Sequence, residues 1–200
     1  MTNRTLVFAT ANEHKLSEIK NILPSYTILG LKDIGVYEDI VEDGATLEEN
    51  ALIKAKYLFE KTNSPSLSED TGLEVDALDG QPGVHTARFA GEERDPVQNM
   101  QKLLQMLDGK KDRSAQFRTV ISLVNGSEVL YFEGIVRGKI AEKMSGNEGF
   151  GYDPIFIPDG YEDTFADLDS SIKNTISHRA RAVKKLVDYL NKSWNNSNYD

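Results

Sequence analysis

The sequence predicts an α/β protein in which strands and helices alternate along a single chain. Two observations carry this. Short runs rich in β-branched and aromatic residues, such as TLVFAT at 5–10, alternate with stretches whose apolar residues recur every three or four positions. A composition of 39% hydrophobic and 28% charged residues over 200 positions suits a soluble globular chain, long enough for one core or for two lobes sharing a cleft. Residues 1–192 read as one domain, and the polar run 193–200 reads as a frayed tail.

Each element has its own signal. After the strand at 5–10, Leu16, Ile19, Ile22 and Leu23 fall at helical spacing until Pro24 stops the pattern. Thr46 followed by Glu49 forms a capping-box pattern ahead of a second helix. Its apolar face holds Leu47, Ala51, Ala55, Leu58 and Phe59, while Asn50 and Lys54, four apart, share another face. A short strand after Pro65 is expected to end at Glu69 and Asp70, before a Gly/Pro-rich loop. Asp95 ahead of Pro96 starts a third helix with Val97, Met100, Leu103, Leu104 and Leu107 as its apolar residues. Strands near 115–124 and 129–138 flank NGSE as a hairpin. Residues 143–175 read as mostly loop, with one strand in DPIFIP, and a final helix runs from about Ser177 to Leu190 with Ile176, Ala180, Val183, Val187 and Leu190 buried.

Composition excludes several classes of function. A net charge of -9 opposes a broad nucleic-acid surface, which needs clustered Lys and Arg to neutralise phosphates. No segment approaches the roughly 20 apolar residues that span a bilayer, and the N-terminus has no secretory pattern, so the cytoplasm is the expected location. Without cysteine there are no disulfides or thiolate zinc sites, and His14, His85 and His178 lack ligand spacing. Any metal is therefore a hard ion on oxygen ligands.

Four stretches have residue types suited to chemistry. TANEHK places Thr10, Ala11, Asn12, Glu13, His14 and Lys15 where strand one passes into helix one. Free backbone N–H groups and the positive helix end favour an anion there, although Asn12 serves equally as a helix cap. VEDG and SEDTG supply Glu42, Asp43, Glu69 and Asp70. Magnesium takes one or two carboxylates and fills its shell with water and phosphate, while the plainer alternative is turn acids on the surface. In GNEGFGYDPIF, glycines flank Phe150, so that Phe150 or Tyr152 offers a flat face for a base or else plugs the core. SIKNTISHRARAVKKL brings Lys173 ahead of a helix and puts His178 and Arg179 in its first turn, where cations oppose the helix dipole and call for an anion.

Five segments carry a resemblance over nearly the whole chain: FATANEHKLSEIKNIL, EDGATLEENALIKA, SEDTGLEVDALDGQPGVHTARFAG, GFGYDPIFIPDGYEDTFADL and IKNTISHRARAVKKL. Together they resemble the inosine/xanthosine triphosphate pyrophosphatases, which hydrolyse non-standard purine triphosphates. The resemblance implies an elongated mixed β-sheet with flanking helices, forming two lobes around a central substrate cleft, and a magnesium-dependent homodimer. It implies cleavage of ITP, dITP and XTP to the monophosphate and pyrophosphate, with water attacking the α-phosphorus. It also implies that residues Thr10 to Lys15 cradle the triphosphate, and that Asp70 is the catalytic carboxylate and shares Mg2+ with Glu42, or with Asp43 if the loop register shifts. Glu69 supports them, and Thr71 touches substrate. Phe150, Gly151, Tyr152 and Asp153 line base and sugar, and Lys173, His178 and Arg179 complete the pocket. Ala11 stands where the family usually has Gly, Thr71 where many members have Ser, and His85 where Tyr is common. A pyrophosphatase for other modified nucleotides, or a non-catalytic nucleotide sensor, are the competing readings.

Overall fold

In a computed structural model, residues 4–196 are described, apart from the side chains of His14 and of residues 193–196. Residues 197–200, the end of the expected tail, lie outside the described residues. The strands are β1 (Arg4–Phe8), β2 (Tyr26–Leu29), β3 (Ser66–Val75), β4 (Pro82–Gly83), β5 (Ser114–Asn125), β6 (Glu128–Ile140) and β7 (Phe156–Pro158). The helices are α1 (Glu13–Ile22), α2 (Leu47–Thr62), α3 (Pro96–Met106), α4 (Ser170–Ile176) and α5 (His178–Asn196). The strands form a seven-stranded sheet in the order β2-β1-β3-β5-β6-β7, with β4 paired to β3. The sheet is mixed, since β1 runs parallel to β2 and β3, whereas β3–β4 and β6–β7 are antiparallel.

Local sequence explains most boundaries. The Thr46 hydroxyl accepts from Glu49 N, and the Glu49 carboxylate accepts from Thr46 N, closing the capping box that starts α2. Asp95 accepts from Val97 N and Gln98 N at the start of α3, where Pro96 needs no partner for a missing N–H.

The chain divides into two compact units. One is built from the chain up to Asp70, Val120–Glu133 and the segment from Ala182 onward. Its core gathers Leu6 and Phe8 of β1, Leu16 and Ile19 of α1, Ile121 and Leu123 of β5, and Leu186 and Leu190 of α5. The second unit, Thr71–Thr119 and Gly134–Arg181, packs Leu73, Leu103, Phe117, Ile155, Phe156 and Phe165. Phe156 contacts both Phe117 and Phe165, at centroid distances of 4.7 and 5.2 Å, in tilted geometries that suit aromatic quadrupoles.

Several elements differ from the expectation. β3 does not stop at Glu69 and Asp70 but continues to Val75, because Leu73 and Glu74 find backbone partners in β4. β2 and α4 had no sequence signal strong enough to mark them; each is short, and α4 depends on Asp169 accepting from Ser171 N. Val97 is half exposed rather than part of the α3 core. The buried stripe of α5 is Ala182, Val183, Leu186 and Leu190, and neither Ile176 nor Ala180 is fully buried. The break at Ser177 places Ile176 in α4, apart from the α5 stripe.

Candidate active site

In the first unit, β1 ends at Phe8 and α1 begins at Glu13, leaving residues 9–12 as the turn between them. Thr10 Oγ1 accepts from Asn12 N at 3.1 Å, and Asn12 Oδ1 accepts from Lys15 N at 3.3 Å. Asn12 is therefore a helix cap, and the two bonds hold the turn in shape. Thr10, Ala11 and Glu13 border a cavity of about 240 Å³. The structure describes the His14 backbone in α1 but not its side chain.

Lys15 forms an ion pair with Glu69, a carboxylate that is 6% exposed as a residue. The next residue, Asp70, points to the other face of β3, because side chains alternate along a strand. There it meets Lys54 of α2: the Lys54 ammonium lies 3.1 Å from Asp70 and 2.8 Å from Glu42. Asp43 is exposed, and Glu42 is the acid of that loop which shares a partner with Asp70. Burial pushes the Asp70 carboxyl up to about 6; Lys54 pulls the other way, and Glu42 adds to the rise. Gly44 has no room for a side chain, since a Cβ would strike Glu49 and Asn50, whose Oδ1 accepts from Gly44 N at 2.8 Å. Asn50 thereby fixes the loop that carries Glu42.

Glu42 and Asp70 converge on the Lys54 ammonium, whose single charge balances one of the two carboxylates. Two carboxylates at one point also fit a hard divalent cation that completes its shell with water and phosphate oxygens. Among the described residues there is no group of three or more His, Asp or Glu side chains arranged for a metal, so protein alone does not complete a coordination shell.

The second unit has a cavity of about 340 Å³, within the range of small-molecule sites. Thr71, Phe150, Gly151, Tyr152, Asp153, Lys173 and His178 all line it, although they come from β3, the 149–155 loop, α4 and α5. Thr71 and Thr119 hydroxyls lie 2.7 Å apart. Asp153 is 3% exposed, and one of its oxygens accepts from Lys173 at 2.5 Å and from Phe150 N at 2.7 Å. Gly149 has φ 82°, and a Cβ there would collide with the Asp153 carboxylate, so this turn requires glycine. Lys173 Nζ also sits 4.8 Å from the Phe150 ring centre.

The two aromatics expected to share one role separate here. The Phe150 ring is 72% exposed and offers a face, whereas Tyr152 is buried, donates to the Thr86 carbonyl at 3.0 Å, and has its phenol pushed up by burial. His178 stacks on Phe117 at 4.8 Å and 20°. Arg179 is partly buried and is not among the residues bordering the cavity. Lys54, Phe117, Asn99 and Arg94 are additions that sequence reasoning did not place at either site. Lys54 carried the strongest hint, a lysine sharing a helix face with Asn50.

The model of the Ham1 family matches residues 6–189. The chain belongs to the Ham1 family. A dITP/XTP pyrophosphatase of Flavobacterium johnsoniae is 50% identical over 186 residues, covering 92% of this chain and 97% of the relative. One of the same description from Porphyromonas gingivalis is 49% identical, covering 92% and 96%. The structure of the Staphylococcus aureus Ham1 protein superposes with a TM-score of 0.92 at 39% identity, over 95% of this chain and all of that one. The mixed α/β sheet described above is thus the Ham1 fold.

Proposed function

We propose that this Ham1-family chain hydrolyses non-standard purine nucleoside triphosphates, namely ITP, dITP and XTP, to the monophosphate and pyrophosphate. The observation that carries the reading is the pairing of Asp70 and Glu42 around one cationic point. The Thr10–Lys15 turn is assigned to phosphate, and the cavity beside Phe150, Lys173 and His178 to the base. Relatives named dITP/XTP pyrophosphatase at about half identity support the substrate class.

Phosphoryl chemistry depends chiefly on positioning and on neutralising charge. Asp70, whose carboxyl titrates at about 6, orients the attacking water and takes its proton. Lys15 and Lys54 offset negative charge on the phosphates and on the two acids, and Glu69 holds Lys15 in place. Glu42 and Asp70 would hold Mg2+, which would supply Lewis-acid charge to the phosphate oxygens. His178 presents its ring beside the base cavity, where a donor would favour a 6-oxo group over the 6-amino group of adenine. We also assign a homodimer and a cytoplasmic site of action; among the described residues no helix is long and apolar enough to cross a membrane.

The test is a panel of ITP, dITP, XTP, GTP, ATP and modified pyrimidine triphosphates, run with and without Mg2+, with pyrophosphate release as the signal. Preferential hydrolysis of the oxopurine nucleotides in Mg2+ is expected. Equal rates across the panel, or phosphate instead of pyrophosphate as product, would remove the assignment.

A further inference from the structure

The cavity of the second unit has one cation that its own acids do not balance. Lys173 is paired at 2.5 Å with Asp153, among the described residues the only carboxylate that borders the cavity, so those two charges cancel. His178 is stacked on Phe117. Arg94 also borders the cavity, yet among the described residues no carboxylate pairs with it. On its own loop stand Glu92, Glu93 and Asp95, and Asp95 is committed to the N–H groups of Val97 and Gln98.

The backbone at Arg94 is unusual as well. Its φ is 53°, in the left-handed region that non-glycine side chains seldom adopt. Arg94 N donates to the Gly91 carbonyl at 3.3 Å, and the next residue is the cap of α3, so the conformation is fixed from both sides. Such conformations persist where the surroundings over-determine them, and they cluster at ligand sites.

We propose that Arg94 is a specificity-determining residue that biases this cavity toward a purine base carrying negative charge, of which xanthine is the type. Xanthine has two oxo groups and a ring N–H acidic enough for its nucleosides to be largely anionic near neutral pH, whereas hypoxanthine stays neutral. A guanidinium at the cavity rim attracts the first and is nearly indifferent to the second. The inference rests on the reading of this cavity as the base site of an oxopurine pyrophosphatase.

The experiment compares kcat/KM for XTP and ITP in the wild-type protein, Arg94→Gln and Arg94→Lys. Because Arg94 is exposed, the XTP-to-ITP ratio is expected to fall about three- to fivefold in Arg94→Gln and to return in large part in Arg94→Lys. The wild-type ratio should climb as pH rises through the ionisation of the xanthine base, and this climb should flatten in Arg94→Gln. An unchanged ratio together with an unchanged pH profile in Arg94→Gln overturns the role of Arg94 while leaving the pyrophosphatase reading intact. A wild-type protein that cleaves neither nucleotide overturns both.

Discussion

Glu69 and Asp70 are neighbours in the chain, yet each meets its own lysine: Glu69 pairs with Lys15 of α1, and Asp70 with Lys54 of α2. Strand alternation separates two carboxylates that would otherwise repel, and each face of β3 balances one of them. Adjacent acids inside a strand are thus compatible with folding, because two different helices supply the countercharge.

Asp70→Asn should fold normally and lose at least about 100-fold in turnover, since both the proton acceptor and an anionic ligand of the proposed cation are lost. Circular dichroism and pyrophosphate release check the two halves of this statement. Turnover within a few-fold of wild type would assign the chemistry to another group.

The raised Asp70 pKa fixes the sign of a stability effect. A carboxyl that titrates at about 6 in the folded protein and near 3.8 when unfolded favours folding while it is protonated. That contribution is present below about pH 4 and is lost as pH rises through about 6. In metal-free buffer, Asp70→Asn should therefore gain in melting temperature relative to wild type on moving from pH 4 to pH 7.5. A gain that shrinks over this interval contradicts burial as the dominant cause.

Lys54→Met should lower stability by about 2 kcal/mol, less than the roughly 3–5 of a fully buried pair because Glu42 is partly exposed. The two carboxylates would then face each other without a countercharge. Added Mg2+ should raise the melting temperature of this variant more than that of wild type; equal shifts would mean that Glu42 and Asp70 do not hold the ion together.

Asn99 is buried on α3, where its amide donates to the Ala87 carbonyl and accepts from Ala90 N. It thereby pins the loop at the cavity wall. Asn99→Ala should raise KM for ITP several-fold with a smaller change in kcat. A fall confined to kcat would place its influence on the chemical step instead.

Much of this molecule can be read along the chain. The capping box at Thr46 and the Asp95-Pro96 start of α3 are local signals, and local hydrogen bonds realise them. Sequence alone ends β3 too early because Asp70, Thr71 and Gly72 have turn chemistry, and the position of β3 between β1 and β5 in the sheet overrides it. The motif residues at 150–153, 173 and 178 do meet around one cavity, but the sequence has no way of showing that Tyr152 turns inward while Phe150 turns out. Lys54 is legible as sharing a helix face with Asn50; what it faces depends on a strand residue 16 positions away.

The ion pairs also differ in how open they are to mobile electrolyte. Lys32 and Glu13 keep 71% and 65% of their side chains in solvent, so potassium and chloride at physiological strength weaken that bond. Lys173 and Asp153 keep 16% and 4%, and Lys54 and Asp70 keep 11% and 15%. Dissolved ions reach these inner charges poorly. The proposed catalytic and base-binding charges should therefore keep their strength across a wide range of ionic strength, while the charged rim beside the first cavity loosens and tightens with it.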